Sequence, residues 1–167
     1  TLISGDSKSS RLKTAAGLLT GALEMIRVYQ PDILIYAGDR EDVLIGAAIG
    51  AFLDIPTVHF FGGDHAADGH VDNPVRHAAS KLSTAHFVST EEHARRLACL
   101  GENPQRVHVI GSVALDKFLM EPPVDRATTL LRLNAKSHAM APTPLAIVIY
   151  HPIEQERESA PKYLRGA

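Results

Sequence analysis

The chain has 167 residues, 45% of them apolar and 22% charged, a composition that suits a globular domain with a core and excludes a disordered or fibrous segment. A net charge of −2 carries no basic footprint for nucleic acid or an anionic membrane surface, and no apolar run reaches the length that spans a bilayer. The single cysteine, Cys99, rules out an intrachain disulfide framework and suits a reducing cytoplasm, while nine histidines are many for this length and need placing.

The opening Thr1-Leu2-Ile3 does not read as a signal peptide. Residues 11–29 follow as a helix, with Leu12, Ala15, Ala16, Leu19, Leu23 and Ile26 on one broad face and Pro31 just past its end. The continuous apolar run 32–37 is expected as a strand buried on both faces. Gly38-Asp39-Arg40 comes next, then an apolar helix over 41–53. A strand over 56–61 leads into a Gly/Asp/His loop over 62–72 and a helix over 73–83, with Pro74 in its first turn and Asp72 or Asn73 as its cap. Residues 85–88 form another strand. Ser89 and Glu92 have the spacing of a capping box for a helix over 91–100, which Gly101 closes. A strand over 106–110 ends at Gly111-Ser112. Residues 120–144 change character, with prolines at both ends, and read as a connector into a second domain entered by a strand over 145–150. The charged tail 154–167 is expected to fray. The domain reading is therefore 1–120, 121–144 and 145–167.

Strands that alternate with helices at this spacing predict an α/β fold with a Rossmann-like, doubly wound parallel sheet and right-handed crossovers that place helices on both faces. Ligands of such folds sit beyond the carboxyl ends of the strands. Asp39, the loop 62–72, Ser112 and His151 all fall at such ends.

Each motif has a bland reading beside the functional one. Asp39 offers a carboxylate and Arg40 a planar donor fork for phosphate, but an Asp before a helix also serves as an N-cap. The stretch 61–77 is more specific: three Asp, three His and three Gly in a loop of functional length, against the alternative of a solvated surface loop. His65, His70 and His77 with Asp64 or Asp72 are acceptable metal ligands, although no zinc-type spacing is present. His151 at a strand end is a charge-tunable donor or a partly buried structural His, and Ser112 caps a turn or binds phosphate. Cys99, among apolar neighbours on its helix, is expected in the core. The chain has no G-x-G-x-x-G, no Walker A loop and no G-x-S-x-G elbow.

Residues 33–40, 55–64, 69–87, 107–112 and 151–153, in that order, resemble the hydrolysing UDP-N-acetylglucosamine 2-epimerases. The resemblance implies a two-domain, glycosyltransferase-B-like enzyme that lacks here its first strand–helix unit and nearly all of its second domain. It implies cleavage of UDP-N-acetylglucosamine, or a modified relative, to an N-acetylmannosamine-type sugar and UDP, feeding sialic-acid-like polysaccharide building blocks. It assigns Asp39, Asp64 and Asp72 as acid/base carboxylates, and Arg40, His151, Asn73, Arg76, His77 and Ser112 to substrate binding. It calls for no metal and no cofactor, and it implies a UDP-sugar as partner and a cytoplasmic homodimer. Phe61, Asp64 and Asn73 depart from the His, Glu and Asp common in the family, which bears on substrate preference. The competing readings are a non-catalytic or glycosyltransferase-like UDP-sugar-binding module and a metal-dependent hydrolase built on the loop histidines.

Overall fold

A computed structural model describes residues 8–67, 71–133, 149–150, 156 and 158–165. By backbone contact the chain divides into two compact units, 1–116 and 117–167. The first unit runs α1 (Lys8–Tyr29), β1 (Leu34–Ala37), α2 (Glu41–Phe52), β2 (Thr57–Phe60), α3 (Asp72–Leu82), β3 (Ala85–Val88), α4 (Glu91–Cys99) and β4 (Val107–Val109). The four strands form one parallel sheet in the order β1-β2-β3-β4. The α/β parallel architecture is the one read from the sequence.

The winding never reverses across these four strands. Right-handed crossovers in a consecutive order carry α2, α3 and α4 to the same face, so these three helices do not supply the layers on both faces that the sequence suggested. Side-chain alternation agrees with this layout. Tyr36 packs on Val43 and Ala47 of α2 and Ala79 of α3. In register beside it, His59 and His86 are fully buried. The opposite parity carries Ile35, Phe60, Phe87 and His108, in which Phe87 stacks 5.1 Å from Phe60 and 5.4 Å from His108. Ile35 is 65% exposed, so β1 is a half-open edge strand and not the doubly buried strand expected from its apolar run.

Small residues bring the helices close. At Gly46 a Cβ would lie 3.1 Å from the Tyr36 ring, and Tyr36 donates its hydroxyl proton to Ser83, 2.7 Å away, since Ser83 donates to the Ala79 carbonyl. Thr57 and Thr84 latch β2 to β3 by reciprocal bonds of 3.0 Å between each backbone N–H and the other's hydroxyl. α1 packs on α2, and its half-buried residues include Ala15, Leu18, Ala22 and Ile26, a face rotated from the predicted one. Leu12, Leu19 and Leu23 are exposed.

Several local expectations shift. The cap of α4 is the Thr90 hydroxyl, which accepts the His93 N–H, and not Ser89. Gly101 (φ +86) does close that helix: its N–H reaches Ala98 and that of Glu102 reaches Leu97. Cys99 is exposed, since it continues the outward row of Glu91 and Arg95 at four-residue spacing. Residues 104–106 form a single 3-10 turn that shortens β4. Neither Asp72 nor Asn73 caps α3, whose N-cap position is held by Val71 without a side-chain bond.

The second unit contains α5 (Asp116–Met120, beginning at the boundary), α6 (Arg126–Arg132) and α7 (Ala160–Arg165). Asp125 caps α6 by accepting the Thr128 N–H at 3.0 Å. The helix α7 forms within the tail that was expected to fray. Of the predicted strand 145–150, only 149–150 are described, and they are not in a strand; the rest lies outside the described residues, as does His151.

His59 ties the sheet to α3. Its Nε2 donates to the Gly38 carbonyl at 2.9 Å, and Nδ1 lies 3.0 Å from the Ser80 hydroxyl. A carbonyl only accepts, so Nε2 carries the proton. Burial, partly offset by that carbonyl bond and reinforced by the charges of His86 and Arg76, pushes the imidazole down to about 4. The unfolded chain then binds a proton below the ordinary value of 6.5 that the folded chain refuses until about 4. Stability from this site is complete above pH 6.5 and lost as pH falls towards 4; about 2 kcal/mol is expected to be gone at pH 5, measured as a lower urea midpoint than at pH 7.5.

Gly63 (φ +73) gives a second test, because a Cβ there would lie 2.3 Å from the His93 carbonyl oxygen. Gly63→Ala is expected to destabilise by about 2 kcal/mol or more. Gly17→Ala in α1, with nothing within 4 Å, is expected to be neutral or to stabilise by up to about 1 kcal/mol. Equal unfolding midpoints for the two variants would contradict the packing described.

Candidate active site

The carboxyl ends of β1 and β2 carry the polar groups. At the exit of β1, Gly38 (φ +106) turns the chain and Asp39 forms an ion pair with Nη2 of Arg76, one turn into α3. Arg76 is 5% exposed, and its Nη1 lies 3.3 Å from Asn73 Oδ1. The Asn73 side chain donates to the Ala66 carbonyl at 2.7 Å and accepts the Ala66 N–H at 2.9 Å. The run Asp39–Arg76–Asn73–Ala66 therefore fastens the β1 exit, α3 and the loop after β2 to one another. Asp39 is not the cap of α2; Arg40 holds that position, exposed and without a side-chain capping bond.

At the exit of β2, Phe61 adopts φ +65, a conformation costly for a bulky residue, and its N–H bonds the Phe87 carbonyl at 3.0 Å. The chain then threads between α3 and α4. A Cβ at Gly62 would stand 3.2 Å from Ser80 Oγ and 3.3 Å from His59 Nδ1. Arg96 of α4 donates to the Gly63 carbonyl and, at 2.8 Å, to Glu92. Asp64 follows, its Oδ1 accepting the His65 N–H at 2.7 Å and lying 3.4 Å from His93 Nε2.

His77, one residue beyond Arg76, is lowered from the ordinary histidine value by burial first and then by the neighbouring basic groups, Arg76 foremost. Its Nδ1, the Nε of Arg76 and the Nδ1 of His93 are buried and have no hydrogen-bond partner among the described residues. The site thus concentrates nitrogen donors and imidazoles around carboxylates, an arrangement suited to an oxygen-rich ligand.

Of the residues singled out from the sequence, Asp39, Arg76 and Asn73 are joined by direct contacts, and Asp72 opens the same helix on the face of Arg76. Asp64 stands at the neighbouring strand exit but turns to α4. Asn73 is buried and spends both ends of its amide on the loop and Arg76, so it holds the site's frame. Ser112 follows β4, three strand spacings and so about 14 Å across the sheet from β1, and makes no side-chain capping bond. Asp68, His70 and His151 lie outside the described residues, and among the described residues no three His, Cys, Asp or Glu side chains gather in a metal-holding group. Sequence reading missed His59, His93 and Arg96. His93 and Arg96 sit a helical turn apart behind the Thr90 cap, the one available signal that they share a face.

Comparison with known proteins places the chain in a family. Residues 1–166 match the family described as UDP-N-acetylglucosamine 2-epimerase. The chain is 34% identical over 151 residues to a UDP-N,N'-diacetylbacillosamine 2-epimerase (hydrolyzing) from Legionella pneumophila, covering 90% of this chain and 38% of that protein. It is 34% identical over 136 residues to a UDP-N-acetylglucosamine 2-epimerase from Neisseria meningitidis, covering 80% of this chain and 34% of that protein. The chain thus spans little more than a third of these relatives' length. The structure of the Methanocaldococcus jannaschii UDP-GlcNAc 2-epimerase in complex with UDP-GlcNAc and UDP superposes with a TM-score of 0.66 at 19% identity, over 74% of this chain and 35% of that one, which establishes the shared fold. No helix among the described residues is long and apolar enough to cross a membrane. On the match along nearly its whole length, the chain belongs to the UDP-N-acetylglucosamine 2-epimerase family.

Proposed function

We propose that this chain supplies the acid/base carboxylates of a hydrolysing 2-epimerase that converts UDP-N-acetylglucosamine, or a modified relative such as UDP-N,N'-diacetylbacillosamine, to a mannosamine-type sugar and UDP. The observation that carries the reading is Asp39 held by the buried Arg76 at the exit of β1, beside the loop of Asp64 and the helix start of Asp72, in a chain of this family.

In this reading a carboxylate removes the C2 proton while the C1–O bond to UDP breaks, leaving a glycal. Water then adds, its hydroxyl to C1 and a proton to C2 from the opposite face. The route needs acid/base groups on both sides of the ring and donors for the charge that develops. Asp39, Asp64 and Asp72 are assigned the proton transfers, and Arg76 and His77 hold substrate oxygens or the carboxylates that meet them. Arg40 and His151 are assigned to the departing diphosphate, for which an exposed guanidinium is suited. The same proposal makes residues 121–144 a connector to a second domain and the enzyme a cytoplasmic homodimer; an unpaired, exposed Cys99 fits a reducing compartment.

The product of the complete reading frame, incubated with either UDP-sugar in deuterated water, is expected to release a sugar carrying deuterium at C2. Retention of the original hydrogen would refute proton exchange at that carbon, and tight UDP-sugar binding without turnover would favour a binding module. Asp39→Asn, which also removes the charge paired with Arg76, is expected to lower the unfolding midpoint and to lower kcat per folded molecule, with the folded fraction fixed by circular dichroism, by about 100-fold or more.

A further inference from the structure

Helix α4 grips the loop after β2 at two consecutive residues. Its His93 carbonyl oxygen lies so close to Gly63 that a Cβ there would be 2.3 Å away, and Arg96 donates to the Gly63 carbonyl. The next residue is Asp64, whose side chain is 49% exposed and would otherwise be free to rotate. His93 meets it from the same helix turn, Nε2 lying 3.4 Å from Oδ1. The Thr90 hydroxyl holds the backbone of His93 in place. The His93 ring is largely buried, and its Nδ1 has no partner among the described residues, so the carboxylate is the group that sets which nitrogen carries the proton. A carboxylate 3.4 Å away accepts and does not donate, which favours the proton on Nε2, the nitrogen that faces it. The second contact to Asp64, the His65 N–H, falls on the same Oδ1. Oδ1 is therefore the anchored oxygen, and Oδ2 is the one left for a substrate.

We propose that His93 is a positioning residue for Asp64: its imidazole anchors Oδ1 and thereby aims Oδ2 at the substrate. The proposal rests on the assignment of Asp64 to proton transfer. A purely structural His93 would serve the packing of α4 and be indifferent to the carboxylate. A positioning His93 loses its purpose once Asp64 is gone.

The test has two arms on the product of the complete reading frame. In protein labelled with 15N-histidine, the neutral His93 ring is expected to be Nε2-protonated, and Asp64→Ala is expected to convert it to a mixture of tautomers. A ring spectrum that ignores Asp64→Ala overturns the proposal. In turnover assays, His93→Ala is expected to lower kcat at least about 10-fold with KM changed less than about 3-fold, as for loss of an interaction made at the chemical step. His93→Gln, which keeps a donor near the Nε2 position, is expected to recover most of the loss, and His93→Ala in an Asp64→Ala background is expected to cost nothing further. Wild-type turnover in His93→Ala, or losses that multiply in the double variant, overturns the proposal. Absence of turnover in the wild-type protein overturns instead the functional reading, and the tautomer arm still decides whether the two side chains are coupled.

Discussion

A buried guanidinium needs an acceptor, and the way this one is satisfied fastens the β1 exit, α3 and the loop after β2 to one another. Arg76 sits 5% exposed on α3 and pairs with Asp39 across 37 residues of chain. Removing either partner leaves the other uncompensated in a medium that solvates it poorly, which is why such pairs cost far more to break than they contribute when whole. The pair therefore acts as a register pin. It sets where the β1 exit stands against α3, and through Asn73 where the loop from Ala66 runs.

Around this pin the histidines divide by depth. His59 and His86 line the helix-facing side of the sheet, fully buried, where Val or Ile would be usual. His59 earns its position by bonding the Gly38 carbonyl next to Asp39 and the Ser80 hydroxyl of α3, so the core itself holds the β1 exit. His86 pairs instead with Glu102 at 3.3 Å, and Lys81 closes on the same carboxylate at 2.7 Å, beyond the far end of α4. Burial pulls the Glu102 carboxyl upward, but the bonds from Lys81 and His86 outweigh it and hold it low. His65 and His93 meet Asp64, and half-buried His77 follows Arg76 on α3. One residue type thus serves as core strut, loop anchor and site lining, and only depth and partners separate the roles.

The sheet is asymmetric for a topological reason. Four parallel strands in sequential order put their crossover helices on one side, leaving Ile35, Phe87 and His108 on a face that α2, α3 and α4 do not cover. The same order places the exits of β1 and β2 side by side, so residues 25 apart in sequence, Asp39 and Asp64, leave from adjacent strands. Proximity of the two loops is thus a property of strand order, while the direction each carboxylate takes is decided by the helix that meets it, α3 for Asp39 and α4 for Asp64.

What the chain declares on its own is local and periodic. The alternation of short apolar runs with helical stretches, the Gly38-Asp39 and Gly62-Gly63-Asp64 strand exits, Pro74 in the first turn of α3 and the glycine stop after α4 all follow from backbone preferences and hydrophobic spacing, and the stretch 61–77 stands out by its Asp, His and Gly content. Tertiary structure decided what depends on partners distant in the chain. Burial of β1 turned on strand order, which no periodicity encodes. The cap of α4 fell to Thr90 and not Ser89 because a one-residue shift in helix entry rotates the hydroxyl by a large angle. Cys99 came to the surface because α4 shows its Glu91–Arg95 row to solvent. Asn73 turned from cap to loop clamp, and His93 came within 3.4 Å of Asp64, because long-range packing set which donors and acceptors met, and hydrogen bonds form only at close range.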